Sequence, residues 1–413
     1  MSGYLTNKLN YAYNMNILVI NSGSSSLKYQ LFKMPAKAPL CSGLVERIGN
    51  EGSFIKHTTY INGQKESRER DGFIANHSEG LKQVLNLLSE GDQAVISNPG
   101  DISAVGHRVV HGGEHFSGAT IITEDVKKEI KKLFSLAPLH NAVNYKCIEV
   151  AEQTFTDSIQ IAVFDTAFHQ TIPEKAYRYA IPEWYYKEHG IRVYGFHGTS
   201  HKYVSEQAIQ WLNKSSSKII SIHLGNGCSM TAIKDGKSID TSMGFGPLSG
   251  LMMGTRSGDI DPSVILHLME HSGYTLEQLS SLLNKQSGLL GMGGSSDMRD
   301  IQKLIDTDSA AAALAVKVYA YRIKKFIGAY MAVLNGLDVI LFTAGVGEND
   351  HKMRAAVCAD LEFLNIKLDV QKNLTYQGEL TEVNSEDSAV KILVVPTNEE
   401  YEIASQCFNI LKS

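Results

Sequence analysis

Cysteine is scarce in this chain: Cys41, Cys147, Cys228, Cys358 and Cys407 are its five, widely spaced and never arranged as CxxC. That excludes a disulfide framework and a zinc ribbon, and it fits a reducing compartment. A basic run is missing as well. With 39 basic against 44 acidic residues the formal charge is −5, so nucleic acid is not an expected partner. No apolar stretch is long enough to span a membrane, and the opening MSGYLTNKLNYAYN has no apolar core of the kind a signal peptide needs. Met1–Asn14 read as a dispensable extension ahead of Met15, and the location expected is cytoplasmic. Also absent is GxxxxGK[ST]. The first glycine-serine loop runs into a strand and not a helix, which rules out both a P-loop and a dinucleotide fingerprint.

What remains is an ordinary globular composition, 43% hydrophobic and 20% charged over 413 residues, sufficient for two or three domains. The organising stretch is Asn16–Phe32, NILVINSGSSSLKYQLF: an apolar strand, a loop of Gly, Ser and Asn, and a second apolar strand. Such a loop is either a plain hairpin turn or a cradle whose backbone N–H groups and hydroxyls lie against phosphate oxygens, with Lys28 adding a point charge. The pattern returns at Lys218–Gly236, KIISIHLGNGCSMTAIKDG. The chain reads as a duplication in which two strand-loop-strand units grip one polyphosphate from opposite sides of a cleft.

Between and beyond these units, Gly43–Gln64 alternates as further strand with a turn at Asn62-Gly63, and Glu79–Leu88 is predicted helical. A strand over Ile102–Val110 enters HRVVHGGEHF. Its HxxEH run would be an inverted zinc-protease motif on a helix, but Gly112 and Gly113 argue against a helix there. Thr123–Leu133 is an amphipathic helix, acidic at its start and basic in its later turns. Ser158–Phe164 is a buried strand ending at Asp165, where a carboxylate either serves a ligand or caps a helix. In YGFHGTSH, His197 and His201 sit four apart across an expected Gly-Thr-Ser turn, as metal ligands or, in preference, with His197 donating to an anion. Thr241–Pro262 is a glycine-rich irregular loop whose only cation is Arg256. A Gly-Ser patch, Gly291–Arg299, follows a helix over Thr275–Leu283. Ser309–Asn335 is one long core or interface helix, and the exposed pair Met252-Met253 is expected at an interface too. A strand over Val339–Phe342 leads through a glycine turn, TAGVGEN, into a helix, the geometry that offers N–H groups to a nucleotide. Lys391–Val395 is a last strand before PTNEE and a closing helix.

These parts suit phosphoryl transfer, which needs phosphates positioned, charge neutralised and oxygens in line. Lys28 and Arg256 supply cationic charge, Asn21 and Glu399 are oxygen ligands of the kind Mg²⁺ takes, and Arg108 is shaped to hold a small carboxylate. The strings NSGSSSLK (Asn21–Lys28), GHRVVHGGE (Gly106–Glu114), VFDTAFHQT (Val163–Thr171), YGFHGTSH, HLGNG (His223–Gly227), MGTRSGDIDP (Met253–Pro262), SSDMRD (Ser295–Asp300), AGVGEN (Ala344–Asn349) and PTNEE (Pro396–Glu400) together resemble the acetate kinase family, in order from Met15 to the C-terminus.

The resemblance implies an α/β fold of two ribonuclease H-like domains of the actin-like and sugar kinase superfamily, with the active site in the interdomain cleft and a homodimeric assembly. It implies an N-terminal acetate-side domain of residues 15–164 plus 397–413, and a nucleotide-binding and dimerisation domain of residues 165–396. It assigns Mg²⁺, with Mn²⁺ as a substitute, to Asn21 and Glu399. It assigns ATP or ADP to Lys28, His223, Leu224, Gly225, Asn226, Gly227, Asp297, Met298, Arg299, Gly345, Val346, Gly347, Glu348 and Asn349, with Ser24 and Ser26 in the phosphate loop. Arg108 would bind the acetate carboxylate, Val110, Leu139, Phe196 and Pro247 would line the acyl pocket, and Asp165, His197 and Arg256 would be catalytic. Acetate has no proton to surrender at neutral pH, so Asp165 is expected to orient metal-bound water and the acetate oxygen and not to act as a base. Two departures flank the acyl pocket: Ala142 where the family usually has Pro, and GPLSG around Gly246 and Ser249 where TPLEG is commoner. Val110 favours acetate, with propionate or butyrate kinase the alternative.

Overall fold

A computed structural model of the chain describes residues 14–61, 63–137, 140–214 and 216–412. The expected extension up to residue 13, Asn62 of the Asn62-Gly63 turn and the acyl-pocket residue Leu139 lie outside the described residues. The chain forms two compact units: Met1–Ala167 with Asn398–Ser413, and Phe168–Thr397.

In the first unit, β1 (Met15–Ser22), β2 (Ser26–Met34), β3 (Pro39–Glu46), β4 (Phe54–Ile61), β5 (Gln64–Asp71), β6 (Ala104–Val109), β7 (Thr120–Ile121) and β8 (Ile159–Phe164) make one sheet of order β5-β4-β3-β2-β1-β6-β8-β7. Strands β1, β6 and β8 run parallel, while β1 through β5 form an antiparallel meander. Both faces of β1 are covered, which is why it reads as an unbroken apolar run. Leu18 and Ile20 join the core beneath helices His77–Ser89 and Asn141–Thr154, and Ile17 and Val19 pack under helix Glu399–Lys412. Strand β5, QKESRERD, was not expected. All its residues are exposed and it pairs through polar cross-strand contacts such as Lys56 to Glu69 at 2.5 Å, so no apolar alternation marks it.

The second unit repeats the arrangement with β9 (Lys218–Leu224), β10 (Cys228–Lys234), β11 (Lys237–Thr241), β12 (Val339–Thr343), β13 (Thr381–Glu382) and β14 (Lys391–Val394), in the order β11-β10-β9-β12-β14-β13. Three antiparallel strands are again followed by parallel neighbours on the far side of the first. Helix Gly198–Leu212 packs on β9, β12 and β14 through Val204 and Ala208. Helix Ala310–Leu334, capped by Ser309 and Asn335, buries Ala312, Ala315, Tyr319, Ile323 and Ile327 at helical spacing.

Three expectations change here. Gly198-Thr199-Ser200 is not a turn but the start of a helix, whose first-turn residues are polar and buried and so give no amphipathic signal. The glycines of AGVGEN sit inside helix Ala344–Asn349, which leaves β12 directly through Ala344 at φ +66°. Met252 and Met253 are buried, because the Thr241–Pro262 loop folds on itself: Gly250 N–H donates to Asp259 and Leu289 N–H to the Met253 carbonyl.

Candidate active site

In the first unit, a turn of only Gly23, Ser24 and Ser25 joins β1 to β2, so Asn21 and Lys28 are strand residues paired across the hairpin. Gly23 N–H donates to the Ser26 carbonyl at 2.8 Å, and His77 Nε2–H donates to the Gly23 carbonyl at 2.8 Å. Ser24 is exposed and Ser26 half-buried. Arg108, near the end of β6, donates from Nη2 to Asp165 Oδ2 and from Nη1 to Asn21 Oδ1 at 3.3 Å. Its buried Nε has no acceptor among the described residues, an orphan donor of the kind that a bound anion would satisfy.

Burial opposes the charge on Arg108, but Asp165, Glu399 and Glu400 outweigh it and raise the guanidinium pKa. Asp165 is 1% exposed and ion-paired with Arg108. Glu399 opens the closing helix. Burial pushes its pKa up to about 7, Arg108 pulls it down, and Asp165 and Glu400 add to the rise. Asp165, Glu399 and Glu400 all bear on Arg108, and Lys28 acts on Glu399 as well; one carboxylate with an amide oxygen is the small protein share that a hydrated Mg²⁺ takes.

Sequence reasoning missed the braces of this half-site. Asn144 donates to the Ser22 carbonyl at 2.9 Å and accepts from Val110 N–H at 3.2 Å, tying the end of β1 to the end of β6. Asn141 accepts from His111 N–H and donates to its carbonyl. Their i, i+3 spacing on a helix was the available signal. HxxEH is not helical: His111 is buried while Glu114 and His115 are exposed. Among the described residues no group of three or more His, Cys, Asp and Glu is placed to hold a metal.

In the second unit, Gly225-Asn226-Gly227 joins β9 to β10, closed by Gly225 N–H donating to the Gly227 carbonyl at 3.1 Å. Two side chains border Gly227: a Cβ there would lie 3.3 Å from His197 Cε1, 3.4 Å from His197 Nε2 and 3.6 Å from Arg256 Nη1. Those two groups therefore converge on one point of the turn. His197 caps its helix at φ +56°, a conformation that few residues other than Gly, Asn and Asp adopt. Its ring stacks on His223 at 4.3 Å, and His223 Nδ1 lies 2.9 Å from Ser200 Oγ. Arg256 Nη1 donates to the Pro247 carbonyl at 2.9 Å, and burial lowers its pKa.

Beside the turn is a cavity of about 930 Å³. Gly225 and Asn226 line one side, Asp297, Met298 and Arg299 a second, and Gly345, Val346 and Asn349 a third. Asp297 caps helix Met298–Asp306 and is gripped by the Arg299 guanidinium, which holds its pKa down to about 2. Gln302, His351 and Lys352 also line the cavity and were not foreseen. For Gln302 the signal was its position one turn beyond Arg299.

A sequence profile of the acetokinase family matches residues 16–405. The chain belongs to the acetokinase family. An acetate kinase from Flavobacterium johnsoniae is 54% identical to it over 399 residues, 97% of this chain and 100% of that protein. The crystal structure of Porphyromonas gingivalis acetate kinase matches with a TM-score of 0.90 at 45% identity, covering 96% of this chain and 100% of that one. A propionate kinase from Francisella tularensis matches at 0.88 and 41%, covering 95% and 98%. The fold is the two-domain α/β, ribonuclease H-like architecture that the resemblance implied.

Within this acetokinase chain, some residues expected at the nucleotide do other work. Leu224 is core, with no exposed surface. Glu348 accepts from Ala344 N–H at 2.8 Å and Thr397 N–H at 3.0 Å, clamping the helix to the strand end of PTNEE. Gly347 is buried, and its carbonyl, like that of Glu348, accepts from Arg354. Arg354, 1% exposed, also donates to Asn373, and so braces the helix that carries Gly345, Val346 and Asn349 from its far end. Val110 and Phe196 are buried and Pro247 is half-buried, each within its own unit.

Proposed function

We propose that the chain is an acetate kinase, transferring the γ-phosphoryl group of ATP to acetate by direct in-line displacement, reversibly, to give acetyl phosphate and ADP. The observation that carries this reading is the Arg108 guanidinium, anchored by Asp165 and Asn21 with a buried Nε–H left to receive an anion. A planar guanidinium takes a carboxylate with direction as well as charge. Asp165 keeps that guanidinium aimed, a role that needs no proton transfer from acetate. That aim is compatible with the expected role of Asp165 in orienting metal-bound water and the acetate oxygen.

Asn21 and Glu399 would hold Mg²⁺, with Mn²⁺ as a substitute; when bound, such an ion offsets negative charge on phosphate oxygens. The Gly225–Gly227 turn, Asp297–Arg299 and the helix with Gly345 and Asn349 bind the nucleotide. His197 and Arg256, drawn together at Gly227, donate to the phosphoryl oxygens as charge develops, so their hydrogen bonds strengthen in the transition state. The reaction requires the acetate and the nucleotide to be brought into line.

Hydroxylamine trapping of acetyl phosphate tests the reading. The wild type forms acetyl hydroxamate only with acetate, ATP and Mg²⁺ together, and Arg108→Ala forms it on the order of a hundred-fold more slowly. ATP hydrolysis indifferent to acetate would overturn it. The alternative acceptor, propionate, has support in the Francisella neighbour. With Val110 limiting the pocket, propionate is used more poorly and not excluded, since one methylene is worth about 1–3 kcal/mol. The enzyme acts in the cytoplasm, in keeping with five buried, unpaired cysteines, and as a homodimer, to which the exposed apolar side chains of helix Pro262–Ser272 are suited.

A further inference from the structure

The histidines of the second unit are joined by hydroxyls. His197 Nδ1 lies 2.9 Å from Ser229 Oγ, the same oxygen lies 2.7 Å from His201 Nε2, and His201 Nδ1 lies 2.8 Å from Ser221 Oγ. Ser221, His201 and Ser229 have no exposed surface. A serine hydroxyl has one proton to give, and a neutral imidazole has one donor and one acceptor nitrogen. His201 is neutral, because burial, then His169 and His223, hold its pKa well below the ordinary histidine value.

With protons passed in one sense along every contact, the chain of four groups has two directions; were Ser229 to accept from both rings instead, its own buried proton would be stranded. In the first, His197 Nδ1–H donates to Ser229, Ser229 to His201 Nε2, and His201 Nδ1–H to Ser221. The Ser221 hydroxyl proton then has no acceptor among the described residues, and a buried donor without a partner is the costly kind of orphan. In the second, Ser221 donates to His201 Nδ1, His201 Nε2–H to Ser229, and Ser229 to His197 Nδ1. Every proton then has an acceptor, and only a lone pair on Ser221 is left over.

We infer that Ser221, His201 and Ser229 form a tautomer relay that fixes His197 with its proton on Nε2, the nitrogen that faces Gly227 beside Arg256. His197 is thereby a hydrogen-bond donor while uncharged. The Arg256 guanidinium borders the same turn, and the His223 ring stacks on that of His197 at 4.3 Å. The three relay members are positioning residues, acting on the reaction through His197 alone. Their effect on rate rests on the proposed function; the tautomer itself can be measured without it.

The test is a long-range ¹H–¹⁵N correlation spectrum of the full chain labelled with ¹⁵N-histidine, at neutral pH, with His197 assigned by its loss in His197→Asn. The expected spectrum has Nδ1 bare and Nε2 protonated. Ser229→Ala and Ser221→Ala should each mix the tautomers and lower kcat on the order of ten-fold, with KM for acetate and nucleotide within about two-fold. Ser229→Thr, which keeps the hydroxyl, should restore both readouts. A wild-type His197 protonated on Nδ1 or on both nitrogens overturns the relay, as does a folded Ser229→Ala with unchanged spectrum and kcat. Should Ser229→Ala fail to fold, the wild-type spectrum and Ser221→Ala still decide. An Nε2–H tautomer in a protein without acetate-dependent transfer would leave the relay standing and remove the proposed function.

Discussion

His107 and Arg108 are neighbours in one strand and therefore point to opposite faces of the sheet, one into the core and one toward the proposed acetate. His107, 2% exposed, donates from Nε2–H to Gln160 Oε1 at 2.8 Å, and burial lowers its pKa to about 4 despite that bond. His57, bonded to Tyr29 at 2.6 Å, is lowered to about 4 as well, by burial and then by Arg68. In the unfolded chain both regain a value near 6.5. The unfolded state thus binds more protons between these values, so the stability contributed is intact above pH 6.5 and is lost as the pH falls through 4. Complete loss at one such site is on the order of 3 kcal/mol. Urea denaturation across pH 7 to 4 should show a steep fall, and His107→Gln, which cannot take up the proton, should have a shallower slope over that window whatever its absolute stability.

The closing helix Glu399–Lys412 reaches the proposed acetate site because Gly106 lets it lie flush on the sheet. A Cβ at Gly106 would stand 2.7 Å from Cys407 Sγ and 3.0 Å from Ile403 Cγ2. Gly106→Ala should therefore lift the helix, cost about 1–3 kcal/mol by overpacking, and weaken Mg²⁺ dependence through the displaced Glu399, as thermal melts and Mg²⁺ titrations of the rate would record. Elements of this kind were legible in the sequence where one period dominated. The buried strands β1, β8, β9 and β12, the amphipathic helix from Glu124 and the capped helix from Ala310 all announced themselves. Strand β5 and the first turn of helix Gly198–Leu212 did not, the one being polar and exposed, the other polar and buried. The site followed the same division. Its glycine turns and lone cations were readable, and Asn144 left only its helical spacing from Asn141, whereas Arg354 and the Ser221–Ser229 relay act through tertiary contacts that leave no local pattern.

At the scale of the molecule, helix Pro262–Ser272 has no buried residue yet carries Val264, Leu266 and Met269, with Leu266 65% exposed, and Leu276 just beyond is 75% exposed. Apolar side chains concentrated in this way mark an association surface. If the proposed homodimer forms through this helix, Leu266→Asp should shift the chain toward monomer in sedimentation velocity while its far-UV circular dichroism stays unchanged. No helix among the described residues is long and apolar enough to cross a membrane. The division of the chain also governs how it can be made. The unit that holds Arg108 begins the sequence but is finished by Asn398–Ser413, whereas the other is one uninterrupted span, Phe168–Thr397. On the ribosome the later-starting unit can mature first, while the underside of β1 and β6 waits bare until Ile403, Cys407 and Phe408 have been made. A nascent chain stalled before Asn398 would thus expose that apolar sheet face to chaperones, and a stop codon placed at Asn398 should yield aggregates in place of a slow enzyme.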